Sequence, residues 1–251
     1  MGLFDFLKRG GGGAMGEAAI GRHAERVLDK RGMSPDRFPS IEYLCRLGTE
    51  DAWRAVLPRY NFTVDPSITD REEKQYIFDQ LKDSPETALE PVKEFVRKTS
   101  AVNWPLKMLR AIQEPEDFVE TLLEVLKGED TSYQKNPERK IQVIIALEDE
   151  VDARVPPAVL PFLEDVSEDT RFHAVRTLLA QGDASAVEPL WALFVRDDSM
   201  RIRTTIADGM AERSWAAPEG DREKVAQLLL RVPNGPYTLS PELQVQRPPR
   251  R

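Results

Sequence analysis

Apolar positions along this chain fall in the three- and four-residue steps of an α-helix rather than in the alternation of a strand. Ala174, Val175, Leu178 and Leu179 follow i, i+1, i+4, i+5, and Val187, Leu190, Trp191, Phe194 and Val195 form a second stripe of the same kind. No stretch sustains strand-like alternation. The punctuation agrees. Ser34-Pro35-Asp36, Ser84-Pro85-Glu86 and Asn136-Pro137-Glu138 each offer a capping side chain, a proline for the first turn and an acid near the positive end of the helix dipole. Thr69 to Glu72 reads as a capping box ahead of a helix beginning at Glu72. Gly128 and Gly182 stand where helices should stop.

The pattern also repeats. "ALEPVKEFV" (88–96) and "AVEPLWALF" (186–194) are near copies, and "AVLP" (158–161) is a third, shorter one. A second series is more regular: Lys107, Arg139, Arg171 and Arg203 are spaced by 32 residues, each followed by small or apolar positions. A lone helix pair cannot bury its own stripe, so copies must stack, and each stacking slot then demands the same residue types. Five helix pairs are expected, at 50–83, 85–113, 115–149, 156–182 and 184–216, with an N-terminal helix at 15–31 and a short C-terminal cap helix at 219–231. "KGEDTSYQKNPE" (127–138) is the candidate insertion that makes the intervals unequal.

These features resemble HEAT repeats, whose units carry a proline in the first helix and an Asp in the turn. The resemblance covers roughly Asp51 to Trp215, is strongest over 156–215, and weakens before residue 84, where the register slips. In the 115–149 unit "EDFVETLLEVL" lacks the Pro-apolar pair. "DPSITDREEK" and "DTSYQKNPERK" are similar to stretches of uncharacterised bacterial HEAT-repeat proteins. The resemblance implies an all-α, right-handed α-solenoid over residues 15–231 and brings no activity with it. Residues 1–14 then form a flexible leader with a glycine linker, and residues 232–251 an extended tail with at most a short hairpin between Val232 and Val245.

Composition narrows the class. Of 251 residues, 41% are hydrophobic and 31% charged, as in a folded soluble domain. No apolar run is long enough to cross a bilayer, and the N-terminus lacks both a secretory signal and a myristoylation pattern. One cysteine, Cys45, allows no internal disulfide and fits a reducing, cytoplasmic setting. The net charge of −8 hides two basic ends, so the body from 32 to 242 carries −13. Nucleic acid is thereby disfavoured as a partner, because such binding rests on neutralising phosphates.

Candidate chemistry is sparse. Gly11 to Gly16 matches G-x-G-x-x-G, but "GLFDFLKR" is too short and charged for the strand a dinucleotide fold needs in front of it. His23, His173 and Cys45 assemble no metal site, so no metal and no cofactor are expected. The His-Glu pairs of HEAT-repeat metal hydroxylases are absent. Pairs such as Glu148 and Asp152 read as a solvated loop. The arginine series stays open between two readings. In one, Lys107, Arg139, Arg171 and Arg203 form an internal ladder to Asp or backbone groups in adjoining turns. In the other, Arg171, His173, Arg176, Arg201 and Arg203 meet an acidic or phosphorylated partner on the concave face. The expectation is a non-catalytic scaffold for a protein partner, not an enzyme. Its rivals are a HEAT-like enzyme of the DNA glycosylase or bilin lyase kind, and a membrane-peripheral adaptor using "LFDFLKR".

Overall fold

The computed structural model describes residues 12–233 and 235–247. Among them are thirteen α-helices, four 3-10 turns and one two-stranded hairpin, so the chain is all-α. It divides into two compact units, residues 1–118 and 119–251. The leader segment "LFDFLKR" lies outside the described residues. Of the glycine motif, Gly12 opens the first helix.

The first unit contains α1 (Gly12–Leu28), α2 (Ser34–Leu47), α3 (Glu50–Val56) continuing as a 3-10 turn (Leu57–Asn61), α4 (Ser67–Lys82), α5 (Pro85–Lys98) and α6 (Asn103–Ile112). The helices at 50–113 lie within the expected bounds, with α5 packed on α6 as expected and α3 packed mainly on α5. The N-terminal helix is instead one half of a further pair, α1 packing on α2. Trp53, Leu57, Ile77, Leu81, Val92 and Leu109 lie in the core. Trp53 also donates its indole N–H to the Thr87 hydroxyl (3.1 Å), which donates to the Gly48 carbonyl (2.6 Å) and so ties α5 to the end of α2.

Three caps differ from expectation, and at two of these helix starts a side chain is drawn to a buried charge cluster. Ser34 lies inside α2 and gives its hydroxyl to Glu73 (2.8 Å). Thr69 lies inside the first turn of α4, which starts at Ser67, and Asp70 binds Arg59 (2.8 Å) and Lys74 (2.7 Å). Ser84 precedes α5 without a side-chain cap. At the centre of the cluster Glu73, 1% exposed, accepts from Arg37 Nε (2.9 Å) and Arg59 Nε (2.7 Å), themselves 2% and 0% exposed. The other guanidinium nitrogens reach the carbonyls of Asp29, Gly32 and Phe62. Burial alone would raise the Glu73 carboxyl, but Arg37, Arg59 and Ser34 outweigh it and hold the pKa below the usual range.

The chain enters the second unit within α7 (Pro115–Lys127). It continues as α8 (Glu138–Glu148), α9 (Val155–Val159) with its 3-10 turn (Leu160–Glu164), α10 (Glu168–Gln181), a 3-10 turn (Ala184–Ala186), α11 (Val187–Arg196), α12 (Met200–Arg213), a 3-10 turn (Glu219–Asp221) and α13 (Arg222–Leu229). Helices α8, α10 and α12 stack in parallel register, visible in the bonds between them. Thr177 donates to the Ile144 carbonyl 33 residues earlier (2.9 Å), and Gln181 to the Leu147 carbonyl 34 earlier (3.1 Å). Arg213 reaches the Leu179 carbonyl, again 34 earlier. The sequence period is thus the stacking step. Gly209 permits it, since a Cβ there would lie 2.5 Å from the Leu179 side chain. Ser167 and Ser199 cap α10 and α12, and Gly182 ends α10 at φ 69°.

Within 232–251, expected to be an extended tail, residues 237–246 are packed. Thr238–Leu239 pairs with Val245–Gln246 as an antiparallel hairpin, β1 and β2. Tyr237, Leu243 and Val245 are buried, because alternate positions of this short ribbon turn apolar groups onto the helices. Tyr237 donates to Asp208 (2.9 Å) and Arg247 to Glu212 (2.7 Å).

Candidate functional site

The five residues expected to meet a partner separate into two groups. Residues two apart on a helix point about 200° away from one another, and the split follows that geometry. Arg171 turns toward the inter-helix loops and Arg203 toward the last turn of α11. Arg171 donates to the Asp165 carbonyl (2.8 Å) and to the Asp197 carboxylate (2.7 Å), while Arg203 reaches the Phe194 carbonyl (3.1 Å). His173, Arg176 and Arg201 share the other face. There Arg176 pairs with Glu148 (2.6 Å), and Arg201 pairs with Asp169 (2.6 Å) over the Phe172 ring. His173 Nδ1 is buried without a hydrogen-bond partner among the described residues. Burial first, then neighbouring Arg176, lowers the His173 pKa, so its imidazole is neutral at pH 7.

Of the remaining series members, Lys107 lies over the Trp104 ring (5.2 Å) and Arg139 bonds Glu129. In α8 the residue that plays the part of Arg171 is Lys140, one position later than the 32-residue spacing indicates. Lys140 is 0% exposed and donates to Asp165 Oδ2 (2.6 Å) and to the Asp130 carbonyl (3.0 Å). Lys140 and Arg171 therefore do the same thing. Each reaches a carbonyl in the loop before its own helix and the carboxylate of the next loop. The carboxylates belong to an Asp-x-Ser motif at 130–132, 165–167 and 197–199, in which each Asp accepts the backbone N–H of the Ser (3.0, 2.8 and 2.8 Å). That motif is the signal for Lys140, Asp130 and Asp165 that the arginine spacing missed.

Two concavities adjoin these rungs. A polar cleft of about 570 Å³ is lined by Glu164, Glu168, Arg171, Arg196, Asp197 and neighbours. Most of its charges are already paired: Arg171 with Asp197, Arg196 with Glu164, and Glu168 with Arg201. The second is a groove of about 530 Å³ between α7, the connector after it and the α9 segment. Its wall is Leu123, Leu126, Pro157, Ala158, Pro161 and Phe162, and its rim is Lys127, Glu129, Asp130 and Thr131.

The rim is held firmly in place. Lys140 grips the connector from beneath, Glu129 accepts from Arg139 and Gln134, and the Thr131 carbonyl accepts from Val166 N–H (3.1 Å). Asp130 accepts from the Ser132 hydroxyl (2.6 Å) and N–H, which lower its pKa. The connector at 128–137 thus forms one side of an apolar, preorganised concavity, the arrangement typical of small-molecule sites.

No family model and no curated protein matches this chain. Among solved structures it is similar to human deoxyhypusine hydroxylase in complex with glycerol. That match has 15% identity and a TM-score of 0.35, covering 89% of this chain and 94% of the other. A likeness at this level transfers no residue role and no activity. It does correct one step. The sequence reading went from helical repeats to a non-catalytic scaffold that is not an enzyme, and here the similar helical protein is an enzyme. Neither expectation is carried forward. The all-helical, paired architecture is compatible with a HEAT-like repeat. Among the described residues no helix is long and apolar enough to cross a membrane, and no group of three His, Cys, Asp or Glu is placed to hold a metal ion.

Proposed function

We propose that this chain is a HEAT-type repeat protein that binds a small molecule with a largely apolar body in the groove beside α7. Of the enzyme alternatives in the sequence reading, the bilin lyase kind also takes a small molecule. The observation that carries it is the groove itself: about 530 Å³, with six apolar wall residues and a rim fixed by the buried Lys140. Apolar surface left concave and solvated attracts an apolar occupant, because filling it removes both surfaces from water. The paired charges of the polar cleft provide no comparable driving force. A cytoplasmic setting belongs to the same proposal. It rests on Cys45, a free, buried thiol whose pKa burial pushes up to about 12, leaving it unreactive.

A neutral solvatochromic dye such as Nile red tests the reading without reference to charge. Wild type should bind it with a fluorescence increase, and Ala158→Trp, which fills the groove at a half-exposed position, should weaken binding at least tenfold with an unchanged melting temperature. No dye binding, or equal binding by the variant, removes the groove from consideration.

A further inference from the structure

The groove rim contains three ionisable side chains, and two are already engaged. The Glu129 carboxylate is 2% exposed and held by Arg139, and the Asp130 carboxylate accepts twice from Ser132. Lys127 is exposed and makes no hydrogen bond or ion pair among the described residues. A cation is favoured there by the negative end of α7. Its counterpart at the end of α11, Arg196, is by contrast closed off by Glu164 and by the Leu163 carbonyl (2.9 Å). The uncommitted charge of the groove is therefore positive.

The wall restricts the body of the ligand as well. Leu123, Leu126, Pro157, Ala158 and Pro161 are aliphatic, and the one aromatic ring, Phe162, is only 4% exposed. Such a wall has no open ring face on which a flat aromatic ligand could stack.

We infer that the groove takes an aliphatic carboxylate, an unbranched acid whose chain lies along the aliphatic wall and whose carboxylate pairs with Lys127. This rests on the small-molecule reading of the groove given above. Charge complementarity selects the head group, and the aliphatic wall selects the chain.

The full chain is titrated with dodecanoate and with dodecanol below their aggregation limits, by displacement of Nile red. Dodecanoate should bind about fivefold tighter than dodecanol, the size of a partly exposed ion pair. That preference should vanish in Lys127→Met, while Ala158→Trp loses both ligands. Equal binding of acid and alcohol by wild type overturns the inference and leaves the groove reading standing, as does a preference that survives in Lys127→Met. Tighter binding of a flat tetrapyrrole acid than of dodecanoate overturns the aliphatic assignment. Binding of neither dodecyl ligand while Nile red still binds overturns this inference alone, whereas absence of dye binding overturns both readings.

Discussion

In the first unit the central buried charge is an acid, Glu73, held from two sides by Arg37 and Arg59. In the second it is a base, Lys140, held by Asp165 and by backbone carbonyls. The difference is in what each joins. Glu73 binds α2, the 3-10 turn after α3 and α4 to one another, whereas the contact of Lys140 recurs as part of a pattern. Lys140 is one rung of a series: it takes Asp165 as Arg171 takes Asp197, each rung fastening one loop to the next. A closed cluster stabilises one place strongly. A ladder spreads smaller contributions over several loops and sets their spacing, and here it also fixes the rim of the groove.

The comparison can be broken in three ways. Removing Glu73 leaves two arginines buried together, so Glu73→Ala should cost about 3–5 kcal/mol, read by denaturant unfolding. Because the folded pKa of Glu73 is depressed, its contribution is present above the usual glutamate pKa of about 4.3 and lost as pH falls below it. Glu73→Gln should therefore flatten the fall of stability in that acid window, and an unchanged acid limb would show that Glu73 is not the group responsible. Lys140→Met leaves Asp165 with only the Ser167 N–H and should cost about 3 kcal/mol. Its distinguishing sign is faster proteolysis within residues 128–137. A global loss without local cleavage would make Lys140 a closed cluster like Glu73. The smallest effects come at the next two rungs. Arg171→Ala should cost about 1–2 kcal/mol, since it leaves the buried Asp197 with only the Ser199 N–H. Arg203→Ala, which gives up a carbonyl contact, should cost under about 1 kcal/mol. Equal melting temperatures for these two variants would remove the ladder interpretation.

The helices were legible because their stripes are. Val187, Leu190, Trp191 and Phe194 face one way, and the helices from 50 to 216 lie at the expected spans even where the caps at Thr69 and Ser84 differ. The 32-residue period was legible in the second unit because most bonds between its helices step by 31 to 34 residues, as in Arg201 to Asp169 and Arg213 to Leu179. In the first unit the steps stretch to 36 for Arg37 to Glu73 and 40 for Arg54 to Glu94, so the register slips before residue 84. Lys140 was hidden by its neighbour. Arg139 has the regular spacing, but one residue on a helix is a turn of about 100°, and it is Lys140 that points into the ladder. The Glu73 cluster has no sequence signal, since its members come from positions 34, 37, 59 and 73 and meet only in three dimensions. The groove was invisible for a related reason. Its wall unites residues near 125 and near 160, and the sequence marked the connector between them only as an insertion.

The β1–β2 hairpin bears on how such a chain can change length. Tyr237 and Val245 lie against the last helices of the second unit, and Tyr237 and Arg247 bind the outer acids of α12, Asp208 and Glu212. A further helix pair would need that same surface. The unit therefore cannot gain a repeat by appending one after α12 without displacing the hairpin. A duplication can lengthen it only from within, between rungs that already know how to bind one another.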